Sequence, residues 1–419
     1  MGAAADAADV PERPGSGHPG RGEGRPPMRT LDDLELEGRR VLVRVDLNVP
    51  LEKGSVADDT RLREILPTLE RLRGEGARIV LCSHLGRPEG KPRDELRLDP
   101  VARRLSELVG REIRKLDDCV GAEVSDAIGE MEAGDVILLE NTRFHRGEED
   151  NDPDFARRLA DLAELYVNDA FGAAHRAHAS TEGVAHHLPA AAGLLMVREV
   201  ETLEAVREDP EPPFVAILGG AKVSDKIGVI QRLLERVDSL LIGGAMASTF
   251  LKAAGERVGS SRVEDDHLEE ARTLLEATGE RLVLPVDVVV AEEMDADARR
   301  ETVAVGEVPE EWQILDVGPE TIQAFQKELQ GARSVLWNGP VGAFELDPFA
   351  GGTESLAKAL AESDATTVVG GGETASAVGR AGVKDRLTHV STGGGAFLEF
   401  MEGKELPGVA VLRVEGDRD

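Results

Sequence analysis

Cationic and amide side chains recur in one sequence context along the first half of the chain. Apolar runs of strand length end near Val45, Ser83, Leu139 and Val167, and each is followed by polar groups. These are Asp46 and Asn48, then His84 and Arg87, then Asn141 and Arg143, then His175 and Arg176. Guanidinium groups present forked donors matched to phosphate or carboxylate oxygens, so several converging on one cleft would hold a small dianion. Arg61, at the start of the helix that follows the first run, joins them. Asp46 and Asn48 can accept from and donate to hydroxyls. Together Asp46, Asn48, Arg61, His84, Arg87, Arg143 and Arg176 suit a small phosphorylated hydroxy acid. Any one arginine could equally pair with the abundant surface acid; the recurrence at successive run ends is what points to a ligand. His175, His178, His186 and His187 lack the spacing of a metal site and are given no ligand role.

The second half repeats the arrangement with glycine. Between Phe214 and Gly395, apolar runs end in Gly219-Gly220, Gly243-Gly244, Asn338-Gly339, Gly370-Gly371-Gly372 and Gly393-Gly394-Gly395. Backbone without a Cβ can approach phosphate closely, and a helix N-terminus adds N–H donors. Lys222 and Lys226 flank a predicted helix start after the first of these turns, with Ser224 or Asp225 as its expected N-cap. The Walker pattern GxxxxGK[ST] is absent, and a plain helix start with solvated lysines remains an equal reading of this element alone. Glu373, beside Gly371, Gly372 and Thr374, offers a carboxylate for Mg²⁺, or simply acid in a first helical turn. Asn338 ends a strand, and Glu345 beyond it could bond ribose hydroxyls or stand exposed.

Elements that would position these groups are legible as alternating β-branched runs and amphipathic stretches, the signature of βαβ units around parallel sheets. Leu62, Ile65, Leu66, Leu69 and Leu72 have helical spacing, as do Phe155, Leu159 and Leu162, and Ile227, Ile230, Leu233, Leu234 and Val237. In open α/β sheets ligands bind outside the carboxyl ends of strands. The expected fold is α/β, with two Rossmann-like parallel-sheet domains joined by a hinge helix. Met196 to Glu208 reads as that helix, ended by the proline cluster at Pro210, Pro212 and Pro213. The expected division is a disordered extension over 1–27, a first α/β domain over 28–195, hinge and linker over 196–213, a second α/β domain over 214–400, and a C-terminal segment over 401–419 returning to the first.

Composition narrows the partners. A formal net charge of −31 argues against nucleic-acid or anionic-membrane binding, which need excess Lys and Arg on one face. Surface acid of this kind suits a salty, halophile-like cytoplasm. The 2 cysteines, Cys82 and Cys119, lack CxxC spacing and read as buried thiols. No run approaches the roughly 20 apolar residues that span a bilayer, so a soluble, cytoplasmic monomer is expected. The GxGxxG match at Gly15 to Gly20 lacks a preceding strand and is set aside.

At this point the chain resembles phosphoglycerate kinases from about Leu42 to Val409. The resemblance rests on Val41-Leu-Val-Arg-Val-Asp-Leu-Asn-Val-Pro50, Ser83-His-Leu-Gly-Arg-Pro88, Leu139-Glu-Asn-Thr-Arg-Phe144, Val167-Asn-Asp-Ala-Phe-Gly172 and His175-Arg-Ala-His-Ala-Ser180. It continues through Leu218-Gly-Gly-Ala-Lys-Val-Ser-Asp-Lys-Ile227, Trp337-Asn-Gly-Pro340 and Ser391-Thr-Gly-Gly-Gly395. It implies reversible, Mg²⁺-dependent phosphoryl transfer between ATP and the carboxylate of 3-phosphoglycerate, giving 1,3-bisphosphoglycerate and ADP, in glycolysis and gluconeogenesis. Asp46, Asn48, Arg61, His84, Arg87, Arg143 and Arg176 match the family's triose-binding motifs. Lys222, Lys226, Asn338, Glu345, Gly371, Gly372, Glu373 and Thr374 match its nucleotide-binding positions, with Arg61 and Lys226 implied to hold the transferring phosphoryl and Glu373 the metal.

Two departures stand out. Glu373 occupies a position where the family usually has Asp, placing the carboxylate about 1.5 Å farther from the backbone. Ala245 replaces a common third glycine, tightening the space near the adenine. Two other readings stay open at this stage. A NAD-dependent dehydrogenase would want GxGxxG after a strand, and a silent nucleotide binder would keep the fold without turnover.

Overall fold

The computed structural model describes residues 26–414. The Gly15 to Gly20 match and nearly all of the 1–27 extension therefore lie outside the described residues. Two six-stranded parallel sheets carry the architecture. In the first, Arg40–Val45 is central, flanked by Arg78–Cys82 and Leu165–Asp169. Val136–Leu138 and Arg114–Lys115 extend one side and Ala190–Ala192 the other. Val41 pairs with Ile79 on one side and Leu165 on the other. In the second, Phe214–Leu218 is central between Ser239–Ile242 and Ser334–Asn338, with Leu282–Val283 beyond the former and Thr366–Gly370, then His389–Val390, beyond the latter.

Helices cover both faces of each sheet, so their strands read as continuous apolar runs. Alternate residues enter different cores: Val41, Val43 and Val45 pack with Leu62, Ile65 and Leu69, while Leu42 faces the opposite layer with Tyr166. In the second sheet Val215 and Ile217 pack with Trp337 and Phe325, while Phe214, Ala216 and Leu218 face the other way. That last layer is continuous with the Leu42 layer through Met196, Val200, Leu203 and Val206.

These four residues lie on the helix Leu194–Glu208, which begins two residues before the predicted start. Asp169, at the end of a first-sheet strand, fixes that start. Its Oδ1 accepts from the amides of Leu195 (2.9 Å) and Met196 (3.1 Å). Burial pushes the Asp169 carboxyl up to about 6, outweighing the opposing hydrogen bonds from Thr68 and the two amides. A raised acid pKa means the unfolded chain ionises first, so stability falls as pH rises from about 4 to about 6 and is level above. The shift corresponds to about 3 kcal/mol. Asp169→Asn, which keeps an acceptor for the two amides, is expected to remove that slope, checked by comparing urea midpoints of both proteins at pH 4.5 and 7.

Several local expectations are corrected. The run from Leu62 to Leu72 forms two helices, Thr60–Glu64 and Leu66–Gly74, because Pro67 has no N–H to continue the first ladder. The helix after Gly219-Gly220 spans Ile227–Leu233 with Lys226, not Ser224 or Asp225, at its cap position. Ser224 Oγ instead donates to Glu264 (2.7 Å), whose carboxylate also accepts from the amides of Val223 and Ser224. A three-stranded antiparallel sheet, Asp287–Ala291, Arg300–Ala304 and Gln313–Val317, was not foreseen. The C-terminal residues reach back, since Arg29 N donates to Leu412 O and Gly408 N to Ala174 O. Among the described residues no helix is long and apolar enough to cross a membrane.

Candidate active site

The carboxyl ends of the first-sheet strands open into a cavity of about 230 Å³. All seven first-half residues singled out by sequence line it: Asp46, Asn48, Arg61, His84, Arg87, Arg143 and Arg176. Hydrogen bonds between neighbouring strand ends hold the loops in register. Gly86 N donates to Asn48 Oδ1 (2.9 Å), and Arg143 reaches Gly86 O (2.8 Å). Arg61 donates to Asn48 O (2.9 Å) and pairs with Asp46 Oδ2 at 3.0 Å. Arg87 is exposed at the rim, with no ion pair among the described residues.

Sequence reasoning missed part of this lining. His175 and His178 line the cavity, although neither belongs to a metal-ligand group. Burial, then the charges of Arg143, Arg44 and Arg176, drive the His178 imidazole down to about 3. Gly394 and Gly395 come from the second half, yet line the same cavity. A Cβ on Gly395 would sit 3.3 Å from His175 Nε2, and one on Gly172 would sit 2.7 Å from Asp46 Oδ2. The two halves thus already meet where the cationic loops and a glycine turn face each other. The one signal for this was the Ser391-Thr-Gly-Gly-Gly395 run itself.

The second-half residues divide into two groups. Lys226, Asn338 and Thr374 are joined through buried contacts, with half-buried Gly371 beside the Asn338 side chain. Lys226 Nζ donates to Asn338 Oδ1 (2.6 Å) and Asn338 O (3.1 Å), and Asn338 Nδ2 donates to Gly370 O (2.8 Å). Gly339 N donates to Thr374 Oγ1 (2.7 Å). Burial lowers the Lys226 ammonium to about 8, against the raising effect of Glu373 and Asp225. Gly220, Gly339 and Gly371 have φ of +93°, +92° and +93°, which only glycine adopts without strain. Lys222, Gly372, Glu373 and Glu345 are exposed around this group, and no hydrogen bond joins their side chains to it.

One further cluster, Asp118, Cys119 and His145, has donor atoms within 4.8 Å of one another. Its thiol donates to Glu140 O (2.9 Å), and burial holds it well above the ordinary thiol range.

A cationic cavity in the first half and a lysine-bearing glycine site in the second can each hold an anionic group, and phosphoryl transfer between such groups has little need for a protein nucleophile. Comparison with known proteins agrees. The sequence model of phosphoglycerate kinase matches residues 31–404. The chain is 59% identical over 386 residues to phosphoglycerate kinase of Moorella thermoacetica, covering 91% of this chain and 98% of that protein. It is 60% identical over 384 residues to phosphoglycerate kinase of Rubrobacter xylanophilus, covering 92% and 98%. The solved structure of phosphoglycerate kinase from Coxiella burnetii is similar at TM-score 0.82 and 42% identity, covering 92% of this chain and 99% of that one. That from Pyrococcus horikoshii OT3 is similar at TM-score 0.83 and 33% identity, covering 92% and 98%. With coverage and identity of this order along nearly the whole length, the chain belongs to the phosphoglycerate kinase family.

Proposed function

We propose that the two residue sets are the two halves of one transfer site. Residues 28–195 carry 3-phosphoglycerate or 1,3-bisphosphoglycerate, residues 214–400 carry ATP or ADP, and the segment 196–213 is the hinge. The observation that carries this reading is the single cavity lined by Asp46, Asn48, Arg61, His84, Arg87, Arg143 and Arg176 together with Gly394 and Gly395. As a phosphoglycerate kinase the chain moves the γ-phosphoryl of ATP to the carboxylate of 3-phosphoglycerate, and back. The acceptor carboxylate is already ionised at neutral pH, so no general base is needed. Arg143, Arg176 and Arg87 neutralise the triose anion, and Asp46 and Asn48 accept from and donate to its hydroxyl. Arg61 and Lys226 approach the transferring phosphoryl from opposite halves, where negative charge spreads over its equatorial oxygens. Both residue sets lie on one chain, which supports action as a monomer, in the cytoplasm where ATP is held.

Mg²⁺ fits the site by donor chemistry. Glu373 stands exposed in the first turn of the helix Gly372–Arg380, its carboxylate in no hydrogen bond or ion pair among the described residues, and hard cations take carboxylate and phosphate oxygens. The ion would neutralise nucleotide phosphate charge when bound. Closure about the helix Leu194–Glu208 would bring the halves together and exclude water that could intercept the phosphoryl.

A coupled assay with Mg-ATP and 3-phosphoglycerate tests the reading: absence of turnover would overturn it in favour of a silent binder. Glu373→Gln is expected to raise the Mg²⁺ concentration for half-maximal turnover by about tenfold, the order found when metal-site partners are removed. An unchanged Mg²⁺ requirement would remove Glu373 from the metal site.

A further inference from the structure

Arg44 was not among the residues singled out from the sequence, yet it lies behind the cavity and contacts one of its lining groups. It sits on the central strand Arg40–Val45 and is 1% exposed, a charge placed inside the first domain. A buried guanidinium needs partners for its donors. Its Nε donates to Ser180 Oγ (2.8 Å), one terminal nitrogen donates to Val45 O, and the other lies 2.9 Å from His84 Nδ1. Ser180 Oγ in turn donates a hydrogen bond to Glu148 Oε1 (2.6 Å), and Glu148 also accepts from Ser180 N (3.0 Å) and Thr142 Oγ1 (3.2 Å). Glu148 is fully buried too. The cation and anion are therefore joined through one hydroxyl rather than in direct contact.

Guanidinium is always protonated and has no acceptor lone pair, so the contact with His84 has one chemical solution. Arg44 donates, His84 Nδ1 accepts, and the single proton of a neutral imidazole sits on Nε2. Nε2 makes no hydrogen bond among the described residues, and the His84 ring lines the cavity. Burial first, and then the charges of Arg44, Arg143, Arg61 and His178, hold the imidazole well below its ordinary range. The other charged groups around the cavity are Asp46, Arg87, His175 and Arg176. Asp46 alone among them is anionic, and it is paired with Arg61.

We propose that Arg44 is a positioning residue that fixes His84 as the neutral Nε2–H tautomer, a donor aimed at an oxyanion oxygen of phosphoglycerate. A neutral donor contributes a hydrogen bond whose strength does not vary with pH across the physiological range, whereas an imidazolium would lose its proton near neutrality. It also spares the cavity a further positive charge when no ligand is bound. The Glu148–Ser180 pair stops Arg44 from rotating away. This inference rests on reading the cavity as the triose site.

Nitrogen-detected NMR of the wild-type protein, with His84 assigned by its loss in a His84→Leu spectrum, tests the tautomer directly. The expected result is a neutral Nε2–H form with shifts constant from pH 5.5 to 8, and a downfield move of that proton when 3-phosphoglycerate is added. An Nδ1–H form, a titration within that range, or no response of His84 while other cavity residues shift would overturn the proposal. If no cavity residue responds to 3-phosphoglycerate, the triose-site reading fails, and with it the donor role, even where the tautomer is as expected. Arg44→Met should give mixed tautomers, restore a His84 titration, and raise KM for 3-phosphoglycerate by about tenfold with a new pH dependence, the order set by losing one oriented donor to a charged group. Should Arg44→Met fold poorly, Ser180→Ala loosens the same anchor and is expected to move KM in the same direction with kcat little changed. A fall in stability with KM, its pH profile and the His84 signals all unaltered would mark Arg44 as merely structural.

Discussion

Alanine in place of Lys226 will lower turnover by roughly 10²- to 10³-fold, the loss that follows removal of one fixed donor to developing negative charge. Arg61→Ala is expected to fall in the same range, because on the proposed reading the two cations serve one phosphoryl from opposite sides. Lys226 differs from Arg61 in being able to lose its charge. With the ammonium lowered to about 8 by burial, the free enzyme is cationic there below pH 8 and neutral above. The kcat/KM profile should therefore fall with a single proton on its alkaline side near pH 8. Lys226→Arg cannot deprotonate and should lose that limb, whatever its absolute rate.

Stability should move the opposite way. A depressed lysine pKa destabilises the fold fully below about 8, and the penalty fades as pH rises from 8 towards 10.5. The shift is worth roughly 3 kcal/mol. Lys226→Met removes that penalty but leaves Asn338 Oδ1 without its donor, which costs about 1–3 kcal/mol. The net expectation is a variant at least as stable as the parent at pH 7 and almost inactive. A large fall in its thermal midpoint would contradict the assignment of Lys226 as a buried charge retained for chemistry.

Gly339→Ala should be among the most damaging single methyls in the second half. At φ +92° a Cβ would lie 2.3 Å from Gly219 O and 2.7 Å from Lys226 Nζ. The first contact is backbone on backbone and cannot be relieved by rotating a side chain. The same residue donates to Thr374 Oγ1 and accepts from Trp337 Nε1 (2.8 Å), so any shift spreads to the turn after Gly370. Left-handed strain alone is worth about 1–2 kcal/mol, and the overlap adds to it. A loss of about 3 kcal/mol or more and a sharp drop in ADP protection against thermal unfolding are expected. Gly331→Ala separates the two contributions: it has φ +86° with nothing within 4 Å, and should show the strain alone. Equal effects at both positions would mean that the close approach of the two turns is unimportant.

The first-half site was legible because parallel sheets force chemistry to strand ends. Arg87 and Arg143 follow neighbouring strands, and Arg176 follows the strand on the other side of Arg40–Val45, so period and run length were enough to place all three at one sheet edge. Gly394 and Gly395 were legible as a phosphate-type turn but not as a wall of the first-half cavity, since that depends on how one half meets the other. Arg44 escaped because a lone arginine inside Val-Leu-Val-Arg-Val looks like an interruption of a strand, and its partners Ser180 and Glu148 lie more than a hundred residues away. The misplaced cap has a similar cause: Ser224 had the right chemistry for a local bond, but Glu264 from another loop took its hydroxyl. Pro67 was visible, and its effect in dividing one apolar stripe into two helices follows from its missing N–H.

The arginine-lined cavity is a cationic well set in a chain of formal net charge −31. Both substrates are polyanions, so on approach they are opposed by the chain's net negative charge, whose reach is about 10 Å, the Debye length at 0.1 M, before they enter the well. Salt then acts in opposite senses on arrival and on grip. Screening the shell speeds encounter, while screening the well loosens the captured anion. Throughput is therefore expected to be greatest at the ionic strength where these trends cross, so that the overall charge of the chain, and not the cavity alone, sets how ambient salt governs supply of the enzyme.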